Sequence, residues 1–262
     1  MNQDSVSFLH TLADSAYASI GEGYYEVDAL PEAQHQDLEQ SIRVCSKNPV
    51  IAEVKFASPS QGVIRTDLNA VSAAEAMVQG GAVGLSVLTE PKHFGGSLES
   101  FALVRRAVGL PLLMKDVVVS RVQLDAAWRL GADAVLLIYR LFERGMCESD
   151  LEGMIGYAHS KGLQVLLEVH DRDEFDKAVE TDADLVGVNN RDLETLSVDL
   201  STTLKILESA PRRGKMVVSE SGIKTAEDVR LLRKAGADAF LVGTSIMKSP
   251  DIASKVRELV EA

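Results

Sequence analysis

The 262-residue chain has two cysteines, one tryptophan and only 5% aromatic residues. Cys45 and Cys147 form no CxxC pair. The five histidines, His10, His35, His93, His159 and His170, lack the spacing of metal ligands. Neither a disulfide framework nor a metal centre is expected; two free thiols in a reducing cytoplasm are. No apolar run approaches the roughly 20 residues of a membrane span, and the start "MNQDSVSF" lacks the basic and apolar parts of a signal peptide. Positive charge is also scarce. Against 39 Asp and Glu there are 27 Lys and Arg, a net charge of −12. General nucleic-acid binding wants a basic face, so it is not expected. A small anion can still be held if a few basic residues gather in one pocket. Linkers, low-complexity segments and a domain boundary are missing too. Residues 1–262 therefore read as one domain, close to the size of an α/β barrel.

What the chain has is a series of short, almost continuously apolar runs. They are 50–55, 83–88, 111–115, 134–138, 164–169, 185–190, 216–221 and 239–243. Strands buried on both faces read this way, which implies a parallel sheet covered by helices. Amphipathic stretches lie between them, as at 70–81, 120–132, 149–162 and 225–237. Several start at Ser, Thr or Asp and several end at Gly, as helix caps do. "GADAVLLI" (131–138) and "GADAFLVG" (236–243) are near copies, and "DADLVGVNN" (182–190) is a looser one. Eight β-then-α units point to a closed (βα)8 TIM barrel spanning 50–262. An open doubly wound sheet is the alternative, but "EVKFASPSQG" after the first strand is not its glycine fingerprint. Residues 5–20 carry apolar residues at helical spacing, so 1–49 reads as an N-terminal helical extension.

In such a barrel the reactive groups stand at the C-terminal ends of the strands. Strand 1 ends with Glu53 and Lys55, strand 3 with Lys115 and Asp116, and strand 5 with Glu168. Strand 6 ends with Asn189, then Arg191, and strand 7 with Glu220 and Ser221. Any one charge could belong to a structural ion pair. Carboxylates or lysines ending strands 1, 3, 5 and 7 together are harder to explain as packing, since odd strands share their layers. Lys115 is either the exit of its strand into solvent or a group held for chemistry.

The loops after strands 7 and 8, "SESGIKTAEDV" and "VGTSIMKSPD", put Gly and Ser or Thr between a strand and a helix. Backbone N–H groups at Ser221, Gly222, Gly243 and Thr244 suit a phosphate. Otherwise these glycines serve only as turns. After strand 1, "ASPSQGVIR" reads as a flexible flap that includes Ser58, or as an ordinary turn at Pro59. Phe94 could be an aromatic wall or a core plug.

These motifs resemble the indole-3-glycerol phosphate synthase family. The likeness rests on "IAEVKFASPSQG", "LSVLTEPKHFGGS", "LMKD", "GADAVLLI", "LLEVH", "VGVNNRDLET", "VVSESGI" and "FLVGTSIM", in that order over about 50–248. It implies a barrel lyase without a cofactor. The reaction would close 1-(2-carboxyphenylamino)-1-deoxyribulose 5-phosphate to an indole with loss of carbon dioxide and water. It implies a general acid at Lys115, further proton transfer by Glu168, Glu53 and Lys55, and sugar contacts from Asn189 and Glu220. Arg191 would brace the site. Lys55 would join Ser221, Gly222, Gly243 and Thr244 on the phosphate, and Leu137, Leu241 and Phe94 would wall the aromatic ring. The family usually reads Lys-Asp-Phe where this chain reads Lys115-Asp116-Val117.

Three other readings stand beside it. A Schiff-base aldolase would use Lys115 as a nucleophile. A non-catalytic phosphosugar-binding barrel would bind without turnover. The isomerase barrel that makes the same substrate typically needs a strand-end cysteine, which is lacking here. Oligomeric state leaves no trace in the sequence, and a monomer is the default expectation.

Overall fold

The structure is a computed structural model describing residues 7–30 and 35–262. Eight parallel strands close on themselves. They are β1 (Val50–Val54), β2 (Gly84–Leu88), β3 (Leu112–Lys115), β4 (Ala134–Ile138), β5 (Gln164–Val169), β6 (Leu185–Asn189), β7 (Met216–Glu220) and β8 (Ala239–Val242). Each pairs with its sequence neighbours, and β1 closes the ring between β2 and β8. This is the (βα)8 barrel expected from the sequence, and each expected run contains its strand.

The strands are continuously apolar because each face meets a different core. Ile51, Leu113, Leu166, Val218 and Leu241 fill the barrel interior. Val50, Ala52, Met114, Val165, Leu167 and Val217 pack outward against the helices. Because side chains alternate along a strand, Glu53, Lys115, Glu168 and Glu220 share the inward phase of the apolar residues two positions earlier.

The four expected helical stretches appear as Ala70–Gln79, Arg121–Arg129, Leu151–Ser160 and Ala226–Ala235. Asn69, Ser120, Asp150 and Thr225 cap them through their side chains, each contributing about 1 kcal/mol. Gly236 ends the last of these at φ +110°, which an L side chain rarely adopts.

The repeated Gly-Ala-Asp motif has a second role at the strand starts. Asp133 accepts the Leu112 N–H at 2.8 Å, and Asp238 accepts the Val217 N–H at 2.7 Å. Asp184, in the looser copy, accepts the Val165 N–H at 2.7 Å. Each aspartate thus accepts a backbone N–H from the first or second residue of the preceding strand, which would otherwise be unpaired. Each also meets a basic side chain, Arg105, Arg212 or His159.

The N-terminal extension supplies the helix Phe8–Gly21, with Ser5 and Val6 of the expected stretch outside the described residues. It buries Leu9, Leu12, Ala13 and Ala16 against the barrel interior cluster. A second helix, Leu38–Arg43, packs Leu38 and Ile42 at the other end of the strands, where the Leu38 N–H donates to Gln164 Oε1 at 2.8 Å. The loop expected as a flap forms a small antiparallel pair, Ala57–Ser58 with Gly62–Val63. Lys248 holds it through Gln61 Oε1 at 2.6 Å, and Arg65 donates to the carbonyls of Met247 and Ser249.

Candidate active site

A cavity opens at the C-terminal ends of the strands. One side is charged, with Glu53, Lys55, Lys115, Glu168, Asn189, Arg191 and Glu220. The other is apolar, with Phe8, Leu12, Leu88, Phe94, Val117, Leu136 and Ile138. A second lobe runs on past Lys55, Arg191 and Ser221 to Gly222, Gly243, Thr244, Ser245, Lys248 and Lys255.

Lys115 stands among the carboxylates. Its Nζ donates to Glu220 Oε2 at 2.9 Å and Glu168 Oε2 at 3.2 Å. Glu53 pairs with Lys55 at 2.6 Å. The three carboxylates are at most 2% exposed, whereas the Lys115 side chain is 16% exposed and reachable from the cavity. Burial alone would lower the Lys115 pKa, but Glu220, Glu168 and Glu53 reverse this and hold it above the ordinary lysine value. Glu168 faces the opposite balance. Burial raises its pKa, yet Lys115 and His170 pull it well below the usual carboxylate range. Glu53 is likewise lowered, with burial outweighed by Lys55 and Lys115. Glu220 goes the other way, to about 7, because burial and the neighbouring Glu168 and Glu53 outweigh Lys115. Its Oε1 is buried with no hydrogen-bond partner among the described residues. The cluster therefore holds Lys115 firmly charged, Glu168 and Glu53 ionised, and Glu220 poised to titrate near neutral pH.

Close backbone approach makes this packing possible. A Cβ on Gly187 would lie 2.1 Å from Glu220 Oε1, and one on Gly243 would lie 2.5 Å from Glu53 Oε1. In the second lobe Ser221 and Gly222 both have positive φ, 64° and 84°. Ser221 is the unusual one, since a side chain there costs strain. Ser245 Oγ donates to the Ile223 carbonyl at 2.9 Å and joins the two loops. Lysines around these glycine-bearing strand-to-helix loops suit an anion.

Of the expected site residues, Glu53, Lys55, Ser58, Phe94, Lys115, Glu168, Asn189, Arg191, Glu220 and Ser221 line the first lobe. Gly222, Leu241, Gly243 and Thr244 line the second. Leu241 thus borders the anion lobe instead of the apolar wall. Leu137 is a correction. It faces the outer helices, and its neighbours Leu136 and Ile138 face the cavity. Strand parity reverses its orientation: in β4 the inward phase falls on Ala134, Leu136 and Ile138.

The sequence reading missed the wall given by Phe8 and Leu12, which only docking of the N-terminal helix creates. It also missed Lys248 and Lys255. His170, which has no metal-ligand spacing, also stands behind the site: its Nε2 lies 3.2 Å from Glu168 Oε1 and its Nδ1 3.4 Å from Glu174 Oε2. The available signal was a carboxylate four residues after His170, in the first turn of the helix that begins just beyond it. Asp116 is tied down beside the site by its own hydrogen bonds. It accepts from Tyr25 at 3.1 Å, Thr89 at 2.5 Å and its neighbouring Val117 N–H at 2.7 Å. Burial pushes its pKa up to about 6. Among the described residues no cluster of His, Cys, Asp and Glu is arranged to hold a metal, and no helix is long and apolar enough to cross a membrane.

Fold and mouth together define the class: a (βα)8-barrel enzyme with a charged cavity at the C-terminal ends of its strands. A family model described as indole-3-glycerol phosphate synthase matches residues 20–259. An indole-3-glycerol phosphate synthase of Methanocaldococcus jannaschii is 45% identical over 216 residues, 82% of this chain and 78% of that protein. One from Microcystis aeruginosa is 44% identical, over 81% of this chain and 72% of that protein. The chain belongs to the indole-3-glycerol phosphate synthase family, carboxy-lyases of tryptophan biosynthesis. A solved 3-hexulose-6-phosphate synthase is similar in fold alone, with a TM-score of 0.62 at 17% identity over 80% of this chain and 97% of that one.

Proposed function

We propose that this cavity converts 1-(2-carboxyphenylamino)-1-deoxyribulose 5-phosphate to indole-3-glycerol phosphate, with Lys115 as the acid for ring closure. The observation that carries this is a lysine between two buried carboxylates, set between an apolar lobe and an anion lobe. The aromatic end of the substrate matches the first lobe and the phosphate the second. In between, the carboxyl-bearing ring carbon attacks the C2 ketone. Charge develops on the ketone oxygen, and Lys115 donates a proton to it. Carbon dioxide then leaves, and its bonding electrons return to the ring. Finally the C2 hydroxyl departs as water and a C1 proton is lost, which completes the indole.

The last step needs a donor and an acceptor. Glu168, held ionised, suits the acceptor. The Glu53–Lys55 pair suits the donor. Asn189 and Glu220 suit the sugar hydroxyls. Arg191 and Ser58, whose hydroxyl is buried and unpartnered among the described residues, flank the substrate. Phe94 suits the ring face. In the second lobe, Lys55 with Ser221, Gly222, Gly243 and Thr244 suits the phosphate, and Leu241 forms part of its floor. The negative charge and two free thiols fit a cytoplasmic protein without nucleic-acid partners.

The test is a fluorescence assay of indole formation from the open-chain substrate. Lys115→Ala is expected to lower kcat by about 100-fold or more. A loss of only a few-fold removes Lys115 from the acid role.

A further inference from the structure

Behind the reacting cluster lies a buried row of charges that ring closure does not use directly. Glu168 divides its two oxygens, with Oε2 on Lys115 and Oε1 3.2 Å from His170 Nε2. That second contact is at ion-pair distance but is not aligned as a hydrogen bond. The other ring nitrogen of His170 faces Glu174 Oε2 at 3.4 Å. The same oxygen accepts the His170 backbone N–H at 2.8 Å, which fixes the ring's base. Glu174 Oε1 is in turn held by Arg140 Nε at 2.6 Å, and Arg140 also reaches Asp171. The His170 side chain is only 2% exposed, so water cannot screen these contacts.

We propose that His170 is a positioning residue, an imidazolium that keeps Glu168 ionised and turned toward Lys115. This rests on the role given to Lys115 and Glu168 above. A neutral imidazole carries a lone pair on one nitrogen, and each nitrogen here lies within 3.4 Å of a carboxylate oxygen, so that lone pair would face another; two N–H groups facing two carboxylates avoid this. Burial would lower the His170 pKa, but Glu168 and Glu174 raise it to about 9. The groups facing the ring are therefore Glu168 from β5 and Glu174 from the following helix, with Lys115 and Arg140 behind them. A positive charge on the far oxygen of Glu168 opposes its protonation and leaves the near oxygen on the lysine.

Two measurements test this, and the first needs no turnover. NMR titration of the His170 ring should give a midpoint well above the ordinary value of about 6.5, and Glu168→Gln should lower it. A His170 that is neutral at neutral pH overturns the proposal, whether or not the proposed reaction holds. The second is the pH profile of kcat. His170→Asn should lower kcat about tenfold at neutral pH with KM within about twofold. It should also move the acid limb to higher pH, since Glu168 then protonates more easily. His170→Gln should behave alike. Glu174→Gln, which keeps the side-chain shape, should lower the His170 midpoint even if the histidine variants fail to fold. A lower Tm with an unmoved acid limb would mean that His170 only packs, and a His170 midpoint unmoved by Glu174→Gln would equally refute the row.

Discussion

Lys115 and Glu220, 105 residues apart in sequence, share a 2.9 Å charged hydrogen bond at the mouth of the barrel. The pairing does not bring Glu220 down to the ordinary carboxylate range. Burial and two neighbouring carboxylates hold its pKa at about 7, against an ordinary 4.5. A group raised in this way favours the fold while it stays neutral. That contribution is complete below about pH 4.5 and disappears as pH rises through about 7. Glu220→Gln is neutral at every pH. Its Tm relative to the parent should therefore rise across this interval and level off above it. Paired thermal melts at a series of pH values check this, and a constant difference contradicts it.

The aspartates at the strand starts make an ordered set. Asp133 has a fully buried side chain, and its carboxylate meets both Arg105 and the Leu112 N–H at 2.8 Å. Asp238 has the same kind of contacts, but its side chain is 30% exposed. Removing one partner of a buried pair costs about 3–5 kcal/mol, because the other charge is left without water. Asp133→Ala should lose that much in urea unfolding. Asp238→Ala should lose clearly less, because solvent can rehydrate its partners. Equal losses would show that the shared N–H bond, and not burial of the pair, sets the cost.

Much of this barrel could be read before its coordinates. Eight continuous apolar runs imply strands with two buried faces, and the structure has them. Charges ending the odd strands imply convergence, and Glu53, Lys115, Glu168 and Glu220 do meet. The failures have physical causes. Leu137 was assigned to the wrong face because one residue of parity separates the cavity from the helix layer. Phe8 and Leu12 reach the cavity only through docking of a helix that precedes the barrel. The Gly-Ala-Asp repeat was visible as a helix end, but its hold on the neighbouring strand depends on register. Gly187 looked like one more strand residue, and only pairing with β7 shows what lies against it.

Val117 occupies the place where the family usually carries phenylalanine. The structure puts it on the apolar wall, in one packed cluster with Leu12, Leu136 and Ile138 and with Phe94 against it. This wall is largely aliphatic, so the substrate ring meets few aromatic faces. An added ring face is worth about 0.5–1.5 kcal/mol, so Val117→Phe should lower KM by roughly 2- to 12-fold. The site is also well packed, and a larger side chain costs about 1–3 kcal/mol of strain. The variant should therefore bind more tightly and melt earlier. Steady-state kinetics beside a thermal melt reads both. An unchanged or higher KM would remove the aromatic contact as the explanation.

Gly187 is where the backbone makes room for Glu220. The register sets Gly187 of β6 opposite Val218 of β7, two residues before the carboxylate. A Cβ there would fall 2.1 Å from Glu220 Oε1 and 3.3 Å from Leu166 Cδ1. The first distance is impossible, so the carboxylate must move. Lys115 holds its other oxygen, and the cluster leaves Glu220 only about 1% exposed. Any displacement that relieves the clash therefore pulls on the lysine. Gly187→Ala should fold but lose about tenfold or more in kcat through misplaced proton transfer. Its cost should act through Glu220 alone. In a Glu220→Ala background the oxygen is gone, so adding Gly187→Ala should change neither Tm nor residual rate by much. A double-mutant cycle measures this coupling directly. Additive effects would mean that Leu166, and not the carboxylate, is what the methyl group meets.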